Sequence, residues 1–254
     1  GNAIGDSVRV GSRATVTGDV VYNEATIDSS ANIGGQITPL SLPVPDPFSQ
    51  FPAFEAGSED VRIGNGESLQ LPSGIYGNIR LVGRNPNEPA TLQLQGGTYS
   101  IESLSLLGMN SRVECLAPCE LRIKGYLVTG MSTYLGGAEG SELLAGDIIV
   151  YVEGVDIGQS PSVPNFSFPI PPIDNNGNDN DDGNGDDNGD IDPGSQSPEF
   201  ATVVGGMFVG MRSEIHARIF APNTLVYVAD RCSVRGVLAG KWTVLGRNAS
   251  LSFE

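Results

Sequence analysis

The chain has 254 residues, 34 of them glycine, and only 17% are charged, a composition that disfavours long helices and suits short strands joined by tight turns. Its net charge of −16 disfavours nucleic acid and anionic membranes as partners, since both need a basic face. No apolar run is long enough to span a bilayer, so no membrane span is expected, and the opening "GNAIGDS", without an initiator Met, reads as the start of a processed chain.

The N-terminus reads "IGDSVR VGSRAT VTGDVV", three consecutive hexads led by Ile4, Val10 and Val16. The pattern resumes as "IDSSAN IGGQIT", led by Ile27 and Ile33. A Pro- and Phe-rich stretch follows, "TPLSLPVPDPFSQFPAF" (38–54), and is expected to cross the surface as an extended strap. Next, "LPSGIYGNIRLVG" (71–83) is echoed by "LQGGTYSIESLSLLG" (94–108), which predicts that Tyr76 and Tyr99 stack on successive turns of chain. Weaker hexads led by Ile101, Leu107 and Val113 run up to "VECLAPCEL", and Leu121 and Leu127 continue beyond it. Cys115 and Cys119 flank that Ala-Pro turn, and a disulfide there needs Cα atoms about 4.4–6.8 Å apart. Such a bond fits an oxidising compartment, and it leaves Cys232 as a buried thiol or an interchain partner. Cys-x3-Cys with no second Cys or His cluster is a poor zinc pattern.

The strand "DIIVYVEG" precedes the larger insertion, 158–200, and the chain rejoins at "ATVVGGMFVG". From Val209 onward hexads are led by Val209, Ile215, Ala221, Tyr227, Ser233, Ala239, Leu245 and Leu251. An apolar period of six fits neither a helix nor a two-sided strand. It predicts an all-β fold, a parallel β-solenoid (β-helix), with residues 1–254 as a single domain carrying the strap and the inserted loop. An antiparallel sandwich of short strands is the alternative.

"LPSGIYGNIRLVG", "GGTYSIESLSLLGMNSRV", "IIVYVEG" and "RIFAPNTLVYV…VRGVLAG" together resemble a Gly-rich β-solenoid domain of bacterial secreted and pilus-associated surface proteins. The likeness covers about residues 71–254 without the insertion, while the N-terminal hexads look more like general hexapeptide-repeat proteins. The resemblance implies a structural role, extracellular or at the cell surface, and carries no catalytic motif. The strap and the insertion depart from it.

Candidate chemistry is sparse. Zinc-dependent hexapeptide enzymes use three histidines; this chain has one, His216, which follows the inward leader Ile215 and is expected on the surface. "IGDSV" (4–8) looks like a Gly-Asp-Ser esterase block, but His216 lacks the Asp three residues before it that such enzymes need. A carbohydrate-active site needs Asp147, Glu153 and Asp156, or Arg212, Arg218 and Arg231, to converge. The acidic run "DNNGNDNDDGNGDDNGDID" (174–192) is the stronger candidate. Ca²⁺ takes six to eight oxygens, which loops supply at alternate positions. Asp186, Asn188, Asp190 and Asp192 alternate in this way, as do Asp174, Asn176, Asn178, Asn180 and Asp182, with Asp179 and Asp181 adding carboxylates. With no Glu at the twelfth place, the run is not an EF-hand; a solvated acidic loop is the competing reading. "NFS" (165–167) and "NAS" (248–250) match the short and common N-glycosylation pattern.

Solenoid ends expose strand edges. The hexads run from Ile4 and Val10 to Leu245 and Leu251 with no cap in the pattern, so these ends are expected to stack head to tail. The expectation is a non-enzymatic, secreted structural protein that polymerises into a filament or surface layer, with calcium as cofactor in the insertion. A monomeric adhesin binding a glycan or cell-surface partner through Phe48, Phe51 and Phe54 is the second reading. A carbohydrate-active enzyme is the third.

Overall fold

Alternating burial along short β-branched and leucine-rich runs sets the strands, and turns with left-handed residues separate them. A computed structural model describes residues 1–39, 52–85, 87–154 and 206–253. Among these, the strands of the first half are β1 (Asn2–Val10), β2 (Thr15–Val16), β3 (Val20–Ile27), β4 (Asn32–Ile33), β5 (Ile37–Pro39), β6 (Val61–Ile63), β7 (Ser68–Leu71), β8 (Gly74–Gly83) and β9 (Thr91–Leu94). They continue with β10 (Gly97–Met109), β11 (Arg112–Cys115), β12 (Cys119–Ile123), β13 (Leu127–Met131), β14 (Tyr134–Gly137) and β15 (Ile148–Val152). The last are β16 (Met207–Val209), β17 (Glu214–Val228), β18 (Ser233–Leu245) and β19 (Ser250–Ser252). One 3-10 turn, Ala145–Asp147, precedes β15.

Every ladder between these strands is parallel, so the antiparallel sandwich is excluded. The expected solenoid is corrected as well. The pairings close a six-stranded parallel barrel, β10–β12–β15–β17–β16–β13 and back to β10, with the other strands outside it. Two long strands make the closure possible. The first half of β10 pairs with β12 and its second half with β13. β17 pairs with β15 through Arg218–Phe220 and with β16 through Val226–Val228. Its register with β18 shifts between Ala221 and Leu225, around Pro222, which has no N–H to give to a ladder.

The pairing order also departs from chain order. β1 lies between β3 on one side and β18 on the other, in the register Val10↔Leu245. The N-terminal strands therefore extend the sheet beyond its C-terminal strands. The far end of the pairing order is β6, which pairs with β8.

The core is the shared inner face. Ile101, Leu104, Leu106, Leu121, Ile123, Leu127, Val150, Ile219 and Val226 are fully buried in one cluster. Each such side chain contributes about 1.5–3 kcal/mol by burial. The N-terminal strands join the same cluster through Ala3, Val8, Val10, Val16 and Val20. Tyr99 is the largest fully buried side chain among the described residues and stacks on Tyr76 as expected, with ring centroids 6.4 Å apart and 20° between planes. Its hydroxyl donates to the Leu71 carbonyl at 3.0 Å, and burial pushes its pKa up to about 12.

Successive strands approach closely at a column of glycines. A Cβ on Gly130 would overlap the Gly108 carbonyl oxygen, and one on Gly210 would overlap that of Gly130. Gly130→Ala is expected to lower stability by about 1–3 kcal/mol through this overlap, read as a fall in the urea midpoint. An unchanged midpoint would refute the close approach.

Candidate functional site

Three features stand out: two open strand edges, a ladder of polar side chains, and an arginine corner. The first edge is formed by β3, β4 and β5. Asn23 to Thr26 of β3 and all of β5 are exposed, and Ile37 on β5 keeps 49% of its surface in contact with solvent. The second edge is β6 and β7, where Ser68, Leu69 and Gln70 are exposed. Leu69 is 38% exposed there, and Ile75 at the start of β8 is 62% exposed. Strand edges with apolar side chains and unpaired backbone groups are templates for another chain.

The residues expected to form the free ends lie elsewhere. Val10 and Leu245 are buried register partners within one chain, Ile4 pairs with Ala239, and Leu251 pairs with Val16. They form an internal seam. Ile4 is only half-buried, because Ala3 takes the inward position on β1. Missing from the sequence reading were Ile37, which is the fifth residue of the hexad led by Ile33 and not its leader, and Leu69, which lies in a stretch with no hexads at all.

The polar ladder runs across β11, β14 and β17, where register pairs Arg112 with Tyr134 and Tyr134 with Glu214. The Arg112 guanidinium lies 4.6 Å from the Tyr134 ring centroid and binds Glu114 at 2.7 Å. Tyr134 donates its hydroxyl hydrogen to the Gly137 carbonyl at 2.7 Å. His216 points outward from Ile215, as expected. It meets Tyr134 edge-on at 5.6 Å and shares a 2.7 Å hydrogen bond with Glu214. Burial, then the Glu214 charge, raises the Tyr134 pKa. These groups satisfy one another through the Arg112–Glu114, Tyr134–Gly137 and His216–Glu214 contacts. The ladder reads as a polar seam locking adjacent strands.

Arg212 and Arg231 converge with Arg247, Asp230 and Met211 around a shallow pocket, and Arg247 pairs with Asp230 at 3.2 Å. Arg218 lies apart from them, over Gly146. Asp147 accepts from the Leu144 amide at 2.9 Å and caps the 3-10 turn. Glu153, the second acid of that trio, is placed among the described residues by its amide, which donates to the Ile123 carbonyl at 2.9 Å. Asp156 lies outside them, as do Phe48 and Phe51 of the strap and Asn165; Phe54 and Asn248 lie within. Asp174, Asp179, Asp181, Asp182, Asp186, Asn188, Asp190 and Asp192, the calcium candidates, also fall outside the described residues. Within those residues no group of His, Cys, Asp and Glu side chains is arranged to hold a metal, and no helix is long and apolar enough to cross a membrane.

In place of the expected disulfide, Cys115 and Cys119 are buried free thiols at the end of β11 and the start of β12. Cys119 donates to the Ala117 carbonyl at 3.2 Å. The hydrogen bond between the two thiols, followed by burial, pushes the Cys115 pKa up. Cys232 is buried too, and desolvation raises its pKa to about 11. No protein family, curated protein or solved structure matches the chain, so the family resemblance rests on the quoted residues alone.

Buried structural thiols are inert toward reagents that cannot reach them. A thiol-reactive chromophore at pH 7.5 is expected to label no cysteine in the native protein and all three after unfolding. Two of the three missing after unfolding without reductant would restore the disulfide.

Proposed function

We propose that this protein is a structural subunit that self-associates into an extracellular filament or surface layer. The observation that supports this most directly is the pair of open, apolar strand edges, β3–β5 and β6–β7, at opposite ends of one pairing order. Two different edges on one subunit make a heterologous contact, and a heterologous contact that does not close gives a fibre. Parallel pairing throughout supports the same geometry, since an added parallel strand continues an existing ladder. The net charge of −16 keeps unassembled subunits apart and makes association depend on cations. Calcium held by the acidic run 174–192 is the cation proposed for that role.

Negative-stain electron microscopy of the purified protein, with calcium and with a calcium chelator, tests both parts. Filaments or sheets that disperse in chelator are expected. Monomers under every condition would sink the assembly reading, and filaments indifferent to chelator would sink the calcium role. Ile37→Lys puts a charge on the edge at an exposed site, where folding changes by no more than about 0.5 kcal/mol. It is expected to abolish assembly while leaving the unfolding midpoint unchanged.

A further inference from the structure

The β1–β18 seam has an unusual sequence origin. Residues 1–39 meet the rest of the chain through two ladders, β1 on β18 and β2 on β19. The next described strand, β6, lies at the other end of the pairing order. Gly57 is already fixed there, its amide donating to the Tyr76 carbonyl of β8 at 2.9 Å. From β5 to β8 the path runs β5–β3–β1–β18–β17–β15–β12–β10–β8. At roughly 4.8 Å per pairing step, that path is about 38 Å long. Within one chain, Pro39 and the β8 strand that holds Gly57 are therefore eight pairing steps apart. Fully extended, the segment from Pro39 to Gly57 reaches about 60 Å, so the intramolecular arrangement is feasible.

Nothing in the seam requires that the two ladders come from the same chain. The β18 edge accepts β1 through backbone pairing from Asn2↔Val237 to Val10↔Leu245 and through the Thr243 hydroxyl, which donates to the Ile4 carbonyl at 3.0 Å. A second copy presents the identical strand. With residues 1–39 of one copy on β18 of another, the pairing order becomes the chain order: β1, β3 and β5, then β6, β8 and onward to β18, then β1 of the next copy. The connection from Pro39 to Gly57 then joins neighbouring edges. The open β3–β5 edge and the open β6–β7 edge of one copy come together, covering Ile37 and Leu69.

We propose that in the assembled state residues 1–39 of each copy are exchanged onto β18 of the adjacent copy. The partner is a second copy of this chain, and the site is the β18–β19 edge. The proposal rests on the self-association reading and specifies its linkage. Contact of intact subunits through the outer edges alone is the competing arrangement, and it leaves β1 on its own β18.

The test uses two single variants of the full chain, Arg9→Cys and Val244→Cys, whose positions are direct register partners across the seam. The native cysteines are buried. The two variants are unfolded together, refolded together under assembling conditions, and treated with a short bis-maleimide. A covalent dimer is expected in the mixture and absent from either variant alone. In the doubly substituted chain, a link confined to single chains, with no dimer in the mixture, would overturn the exchange. A deletion of residues 42–53 in both variants sharpens the result. The remaining connection from Pro39 to Gly57 reaches only about 20 Å, about half the path along the pairing order that the intramolecular seam leaves between them. The shortened mixture is expected to give the cross-linked species at up to about one seam in four, the statistical limit of an equal mixture in which donor and acceptor must be different variants, and a monomer with residues 1–39 open to protease would overturn the proposal. If the shortened chain does not fold, the full-length mixture decides. Filaments without interchain links would defeat the exchange while keeping self-association; an absence of filaments together with interchain links in the shortened chain would do the reverse.

Discussion

The parallel pairing of β1 with β18 is the contact on which the rest of the arrangement depends. It brings the first strand of the chain against strand residues more than two hundred positions later and places β1 to β5 beyond the C-terminal strands. Backbones come very close along this seam. A Cβ on Gly5 would lie 2.8 Å from the Gly240 carbonyl oxygen, and one on Gly1 would overlap that of Gly236. Ala3, Val8 and Val10 then continue the apolar face that Leu238, Leu245 and Leu251 begin. The seam is thus both a hydrogen-bonded ladder and a stretch of core. If β1 is withdrawn, the β18 edge and part of the main hydrophobic cluster open together.

The six-residue period carries information about side-chain direction. Val10, Val16, Ile101, Val113, Leu121, Leu127, Val209, Ile215, Ala221, Ala239, Leu245 and Leu251 lead hexads and are buried. Leu107 and Ser233 are also only half-buried, and the exceptions Ile4, Ile27, Ile33 and Tyr227 have local causes. Ile4 gives way to Ala3, because Gly5, Asp6 and Ser7 shift the phase before Val8. Ile27 and Ile33 stay partly exposed because β3 and β4 lie at an open edge, with no further strand over them among the described residues. Tyr227 stacks on Phe208 at 5.1 Å on the outside, where an aromatic ring packs as well as it would in the core.

A period cannot report which strand lies beside which. Inward positions look the same whether β1 is followed in space by β3 alone or is held between β3 and β18. Closure of the six-stranded ring depends on β10 and β17 each serving two neighbours. That follows from their length and from the break at Pro222, features outside the hexad count. The cysteines show a related limit. A spacing of four around Ala117-Pro118 permits a disulfide, but it equally permits two thiols that end one strand and begin the next. The edge residues Ile37 and Leu69 were illegible for another reason. Their importance comes from what fails to cover them, which is a property of topology and not of the local sequence.

Circular displacement of the pairing order explains why open edges and a closed interior coexist. In a sheet paired in chain order, the first and last strands of the chain are its edges. Here the first strand is interior, and the edges fall on either side of the connection between β5 and β6. A single copy does not pair those edges with each other while β1 remains on its own β18, because eight pairing steps separate them. Two copies can. The constraint that leaves the monomer with exposed Ile37 and Leu69 is the one that a neighbouring copy relieves. The same geometry predicts that assembly covers both edges cooperatively, since docking one set of N-terminal strands brings the second pair of edges into register.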